Sequence, residues 1–382
     1  MRENQGMGVN FRLPGPTPLP PAVLAAMQRE MIPHRGPAFK TFFRGILRRA
    51  KEIHRTDGDV LIWPGTGSAG WEAAIVNLLS PGDPVLAAVC GDFGERFAKV
   101  GAAFGLDVRR LDAAWGGAIE PAALRDALAR NREVKAVFLT HNETSTGVTN
   151  PLPGLARLVN DHGALVVVDA VSSAGALPLE TDAWGLDFVL SGSQKAWMCP
   201  PGLMIAAVGR RAWDAHAAAR FPRFFWDIGA AKRAAEQGLT PTTPPLTLLY
   251  AYDAALGLIL EEGLERGWAR HRALGELTRA GVAALGLELF ANPAYASDTV
   301  TAFRPPAGVS VTALLDVLRR DHAVEAQSGQ GHLADALVRI GHMGWAHEPE
   351  LRDALDALAR SLETLGARTP AVARTASDEG AG

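Results

Sequence analysis

The sequence predicts an α/β fold: a large domain built on a mostly parallel sheet sandwiched by helices, followed by a smaller α+β C-terminal domain. Two observations carry this. Between Val60 and Ser191, short segments that are apolar throughout alternate with amphipathic runs of helical length. Strands buried on both faces belong to parallel sheets covered by helices. The chain is also long enough, at 382 residues, for about two domains of roughly 100–200 residues each.

The elements follow in order. Residues 10–21 are rich in Pro and Gly and read as an extended arm. A helix begins at Pro21, a rigid Pro-rich loop covers 33–37, and a second helix covers 39–53. Strands are expected over 60–63, 84–89, 106–111, 136–140, 165–168 and 188–191, with helices over 70–79, 94–104, 121–131 and 152–161 between them. Long helices follow over 246–262 and 264–285, and the second leads into the small domain. That domain takes a strand over 299–303, a helix over 311–321, a strand over 338–340 and a last helix over 348–365. The expected organisation is an arm over 1–20, a large domain over 21–263, a small domain over 264–366 and a disordered tail over 367–382.

Composition narrows the function classes. Hydrophobic residues make up 48% and charged residues 21%, as in an ordinary soluble domain with a sizeable core. The net charge of −3, with signs interspersed, leaves no basic block for nucleic-acid phosphates. No apolar run reaches the roughly 18 residues of a membrane span, and residues 1–8 are polar, without an export signal's apolar core. The two cysteines, Cys90 and Cys199, form no CxxC pattern, which argues against a disulfide framework or a zinc site. A reducing cytoplasm is the simplest home.

Chemistry gathers at strand ends, where an open parallel sheet binds ligands. Pro64-Gly65-Thr66-Gly67-Ser68-Ala69-Gly70 runs from a strand into a helix. Its glycines and the helix N-terminus suit an anion, with Thr66 and Ser68 adding hydroxyls, although a Gly-rich turn alone is a weak motif. Asp169 directly follows the apolar run Val166-Val167-Val168; an acid there suits a buried cation, and also fits a helix cap. Ser191-Gly192-Ser193-Gln194-Lys195 follows another strand, and it is the lysine that does so: Lys40, Lys51, Lys99, Lys135 and Lys232 lie on helices or ahead of strands. A buried lysine loses basicity, which suits a Schiff base. Thr140-His141-Asn142-Glu143-Thr144-Ser145-Thr146-Gly147 is a fourth polar strand end.

Together these motifs resemble class V aminotransferases of the pyridoxal-phosphate-dependent fold type I, and most of all the alanine–glyoxylate and serine–glyoxylate group. The likeness runs from Gly15-Pro16-Thr17-Pro18 to Arg339-Ile340-Gly341-His342-Met343-Gly344 and is highly specific in two strings, Ser191–Ala196 with Pro200-Pro201-Gly202 behind it, and Thr140–Val148. It implies pyridoxal 5′-phosphate as cofactor, held by Lys195 as a Schiff base, with Asp169 on the pyridine nitrogen and Val171 beneath the ring. It further implies a stacking role for Phe93, a ring-hydroxyl contact for Thr144, and phosphate contacts from Thr66, Gly67, Ser68, Gln194 and, across a subunit boundary, Thr243. Arg339 would take the substrate carboxylate with its fork of donors. Two positions depart from the family: Thr240 stands where many members carry a phosphate-binding Tyr, and Arg35 lies in a variable loop near the other subunit's site, where it could read a second carboxylate.

The resemblance implies a homodimer that moves an amino group from a small amino acid (alanine, serine or aspartate) to a 2-oxo acid such as glyoxylate or pyruvate by a ping-pong mechanism. The Thr243 contact and an N-terminal arm reaching the partner would make that dimer obligate. Alternatives are a class V lyase, cysteine desulfurase or phosphoserine aminotransferase, or a non-catalytic subunit. A desulfurase needs a cysteine on a mobile loop, and neither Cys90 nor Cys199 sits in a Gly/Ser-rich one.

Overall fold

The structure, a computed structural model, describes residues 8–367. It opens with β1 (Asn10–Phe11), α1 (Pro21–Ala26) and α2 (Pro37–His54). The β/α alternation follows as β2 (Asp59–Pro64), α3 (Gly67–Leu78), β3 (Pro84–Val89), α4 (Asp92–Ala103), β4 (Asp107–Asp112), α5 (Pro121–Arg130) and β5 (Ala136–Thr140). A short hairpin, β6 (Asn142–Glu143) and β7 (Val148–Thr149), precedes α6 (Leu152–His162), β8 (Leu165–Asp169), β9 (Phe188–Gly192) and β10 (Leu203–Val208). Then come α7 (Arg210–Ala218), α8 (Ile228–Glu236), α9 (Leu246–Glu262), α10 (Leu264–Ala284), β11 (Glu288–Leu289), β12 (Val300–Arg304), α11 (Val311–His322), β13 (Val324–Glu325), β14 (Gln327–Ser328), β15 (Val338–Gly341) and α12 (Glu348–Thr364).

The main sheet has seven strands in the order β2-β10-β9-β8-β5-β3-β4. The neighbours β9, β8, β5, β3 and β4 are parallel, as expected. The expectation did not include β10, which is antiparallel to both β2 and β9. No helix separates β9 from β10, so the chain can only turn back on itself. The turn, from Ser193 to Gly202, carries Lys195. Because β10 reverses twice, β2 runs in the same direction as β9. The C-terminal ends of β2, β3, β5, β8 and β9 therefore share one edge.

Alternation along each strand feeds two cores. In β5, Val137 and Leu139 join one cluster, while Ala136 and Phe138 join the other. Val166 and Val168 of β8 face the first, and Val167 the second. On that second face Phe138 stacks on Phe97 of α4 with ring centroids 4.2 Å apart, and Phe97 stacks in turn on Trp71 of α3 at 5.7 Å. Each such pair contributes about 0.5–1.5 kcal/mol beyond its burial. The column fixes the two helices whose N-termini border the strand-end edge.

A four-stranded antiparallel sheet, β11-β12-β15-β14, forms the rest with α10, α11 and α12. Phe303, Leu314, Val338, Leu351 and Leu358 are the centre of its separate core. The described part of the N-terminal arm is bound to this unit of its own chain. β1 pairs with β13, Arg12 N–H donates to Glu325 O, and Gly341 N–H donates to Arg12 O. Thr17 N–H donates in turn to Gln194 O, so residues 10–17 are tied into their own subunit at several backbone positions. The tail expected over 367–382 lies outside the described residues apart from Ala367.

Candidate active site

The turn after β9 buries Lys195. Its backbone carbonyl accepts from Thr17 Oγ1 at 2.9 Å, and its Nζ donates to the carbonyl of Pro14. The arm therefore closes over the lysine. Gly15 has φ 123°, and a Cβ there would lie 2.5 Å from Lys195 Cδ, so a side chain at this position would be strained and would have to displace the lysine. Burial lowers the Lys195 pKa to about 8, and the positive charge of Arg339 adds to this. The negative charges of Asp169 and Glu143 oppose it.

Asp169 ends β8 and is buried. Val171 N–H donates to its Oδ1 at 2.9 Å and the Trp71 indole to its Oδ2 at 2.9 Å. Burial raises its pKa to about 6, against those two donors and the charge of Lys195. It is therefore ionised at neutral pH.

The helix after β2 begins at Gly67, three residues earlier than the sequence suggested, and Thr66 at its N-cap makes no side-chain capping bond. Thr66 and Ser68 are exposed. A Cβ on Gly67 would sit 2.5 Å from Val171 Cγ2, so this glycine lets the helix end approach the end of β8. Gln194 lies close by: a Cβ on Gly192 would be 2.8 Å from Gln194 Oε1 and 3.1 Å from Gly67 N. Free helix N–H groups, two hydroxyls and an amide form a donor set for an oxyanion.

Two residues that the sequence reading did not single out organise the rest. Glu143 is fully buried, and its carboxylate accepts from the backbone N–H of Phe93, Gly94 and Ser145 and from Ser145 Oγ. It thereby holds the first turn of α4, and with it Phe93, whose ring lies 5.4 Å from the Arg96 guanidinium. Ser172 accepts from Thr144 Oγ1 at 2.8 Å and donates to Asn142 O at 2.8 Å. Asn142 reaches the small sheet through Thr299 and Ser297. This brace joins the loop after β5 to the second unit.

Arg339 comes from β15, and Thr144 O accepts from its Nη1 at 3.0 Å. It is buried, and burial lowers its pKa to about 10, with Glu143 and Asp92 opposing; it remains charged at neutral pH. Thus Lys195, Asp169, Val171, Gly67, Gln194, Phe93, Thr144 and Arg339 converge from distant sequence positions. Thr243 and Arg35 do not join them. Both are exposed and make no side-chain hydrogen bond or ion pair among the described residues.

Trp71 had one available signal, since a buried indole N–H needs an acceptor. Glu143, Ser172 and Pro14 act through contacts that depend on tertiary placement. Among the described residues no three His, Cys, Asp or Glu side chains lie together as a metal site. Both thiols are buried, and burial pushes the pKa of Cys90 and of Cys199 up to about 12.

A buried amine within electrostatic reach of a strand-end carboxylate, with oxyanion donors on the neighbouring loop, fits pyridoxal 5′-phosphate. The fold and these donors define an enzyme of the coenzyme-dependent fold type I class. Residues 9–344 match the family model described as aminotransferase class-V, and the chain belongs to that pyridoxal-phosphate-dependent family. It is 39% identical to the soluble hydrogenase 42 kDa subunit of Anabaena cylindrica, over 93% of each chain. It is 36% identical to the serine–glyoxylate aminotransferase of Methylorubrum extorquens, over 93% of this chain and 91% of that one. The alanine–glyoxylate aminotransferase structure from Nostoc sp. superposes with a TM-score of 0.89 at 32% identity, over 95% of this chain and 97% of that one. The expected fold class, cofactor and enzyme class are thus borne out. No helix among the described residues is long and apolar enough to cross a membrane.

Proposed function

We propose that this transaminase takes the amino group of a small amino acid (alanine, serine or aspartate) and passes it to a 2-oxo acid, glyoxylate or pyruvate, in a ping-pong cycle. It acts as a homodimer in the cytoplasm. The observation that carries the reading is one buried amine, Lys195, in the turn after β9, with the buried carboxylate of Asp169 at the end of the neighbouring β8.

Lys195 would hold the coenzyme through Nζ. Gly67, Ser68, Thr66 and Gln194 would hold its phosphate, joined by Thr243 of a partner subunit, and the exposure of Thr243 suits that role. Val171 and Phe93 would flank the ring, and Thr144 would meet its hydroxyl. Pyridoxal phosphate, when bound, supplies an electron-poor ring that takes up the electron pair left at substrate Cα. Asp169, ionised between Trp71 and Val171, keeps a proton on the ring nitrogen. Arg339 takes the α-carboxylate and fixes that end of the substrate. Once the amino group of the substrate has taken its place on the coenzyme, the released neutral Nζ of Lys195 would accept the Cα proton. Arg35 would read the second carboxylate of an acidic donor, from the loop ahead of α2. The buried, weakly acidic thiols speak against a cysteine nucleophile.

The test is a donor-by-acceptor screen on the purified protein with pyridoxal phosphate, using Lys195→Ala as control. Amino transfer from alanine, serine or aspartate to glyoxylate or pyruvate is expected, with none from the variant. Failure with every pair, or full activity in the variant, overturns the reading. Light scattering tests the dimer, and a fully active monomer would refute it.

A further inference from the structure

The guanidinium of Arg339 carries five N–H donors. Nε donates to Ser328 O at 2.8 Å, and Nη1 donates both to Thr144 O at 3.0 Å and to Gln330 Oε1 at 3.1 Å. Nη2 makes no hydrogen bond among the described residues. A carboxylate docks two-pronged on a guanidinium through the Nη1/Nη2 edge or the Nε/Nη2 edge.

The acceptors on those edges differ in kind. Ser328 O belongs to β14, which is held in register against β15 by the pair Ser328↔Val338. Thr144 O belongs to the loop braced by Ser172. Both are backbone atoms that cannot withdraw without breaking a sheet or the brace. Gln330 Oε1 is the one acceptor on a movable side chain, in a partly exposed loop. That loop is itself seated on the main domain. Gly331 has φ 55°, and a Cβ there would lie 3.2 Å from Asp92 Oδ1 and 3.3 Å from the Trp115 ring. The side-chain amide is therefore presented to Nη1 from a fixed base.

We propose that Gln330 is a specificity-determining residue whose amide oxygen competes with the substrate carboxylate for the Nη1 edge of Arg339. This deepens the proposed function and rests on Arg339 as the carboxylate site. The Gln330 amide meets the guanidinium only as a neutral dipole with one prong, whereas a carboxylate brings a full opposite charge and can dock through two parallel hydrogen bonds. A carboxylate displaces the Gln330 amide, whereas a neutral carbonyl gains little by the exchange. The device favours α-amino acids and 2-oxo acids over their amides.

The test uses propionate, a carboxylate that cannot transaminate, with binding to the holoenzyme followed by ligand-observed NMR. KM for L-alanine is measured alongside. Gln330→Glu places a full carboxylate on Arg339 and is expected to raise both constants by about tenfold or more. Gln330→Leu removes the competitor and is expected to lower both by roughly two- to fivefold, with the change in KM rather than kcat. It is also expected to narrow the preference for propionate over propionamide. The coenzyme's visible absorbance band checks that each variant is loaded. Weaker propionate binding in Gln330→Leu would show that the amide assists the carboxylate, and unaltered binding in Gln330→Glu would show no competition; either overturns the proposal. Arg339→Leu separates the two levels. If it leaves propionate binding intact, the carboxylate site itself is misassigned. If it abolishes binding while the Gln330 variants behave like the parent, the role of Gln330 alone falls.

Discussion

Trp71 donates its indole N–H to Asp169 Oδ2 at 2.9 Å across 98 residues of sequence, while Val171 N–H takes Oδ1. Each carboxylate oxygen thus has one fixed donor, so the plane of the group at the end of β8 is set before any ligand arrives. Trp71→Phe keeps the ring stack on Phe97 but removes the donor. A hydrogen bond to a charged group contributes about 1.5–3 kcal/mol, so the Asp169 pKa should rise further. Pyridoxal-phosphate affinity should fall by roughly ten- to a hundredfold by absorbance titration. Unchanged affinity would mean that Val171 alone suffices.

Gly15 is the second point of contact. It has φ 123°, and a Cβ there would overlap Lys195 Cδ and Nζ at 2.5 and 2.6 Å. Gly15→Ala should drive the lysine from its position under the arm while the cores on the two faces of the main sheet keep the fold. The expected result is a protein with parental far-UV circular dichroism that no longer develops the coenzyme's visible band. A variant that loads normally would show that the arm is dispensable for placing Lys195.

The thiols give a third test, aimed at the desulfurase alternative. Both are buried, and both pKa values are pushed up to about 12, so little thiolate exists near neutral pH. A thiol-reactive disulfide reagent should label neither cysteine in the native protein and both after unfolding. Sulfide release from cysteine should be undetectable. Rapid native labelling of Cys199, which lies in the Lys195 turn, would reopen that reading.

These tests also mark what the sequence could and could not convey. Lys195 and Asp169 were legible because each closely follows an apolar run, and the carboxyl ends of parallel strands are where an open sheet binds ligands. The strand Leu203–Val208 was equally apolar but was missed behind Pro200-Pro201-Gly202. With it went the reversal that puts Lys195 in the connection between β9 and β10. Helices α7 and α8 are nine residues each, too short for a clear period. Glu143 and Gln330 carried no local signal at all. Glu143 serves the backbone of Phe93 and Gly94, 49–50 residues away, and Gln330 acquires meaning only when β15 brings Arg339 beside it. Pairings of this kind are products of tertiary packing.

The last prediction concerns the charge balance at Lys195. Burial and Arg339 lower its pKa to about 8, while Asp169 and Glu143 pull upward. Only the neutral amine attacks an aldehyde. In the apoenzyme the neutral fraction therefore grows about tenfold per pH unit below the pKa and levels off above it. The rate at which apoenzyme captures pyridoxal phosphate, followed by stopped-flow absorbance, should rise with pH and flatten near pH 8. Asp169→Asn removes a negative neighbour that favours the ammonium form, so its plateau should begin at lower pH. Arg339→Leu removes a positive neighbour that disfavours it, so its plateau should begin at higher pH. The opposite signs matter more than the sizes. A general loss of structure would shift both midpoints toward the value of a free lysine, whereas only a lysine placed between these two charges splits them. Midpoints that move in the same direction would show that burial alone sets the reactivity of Lys195.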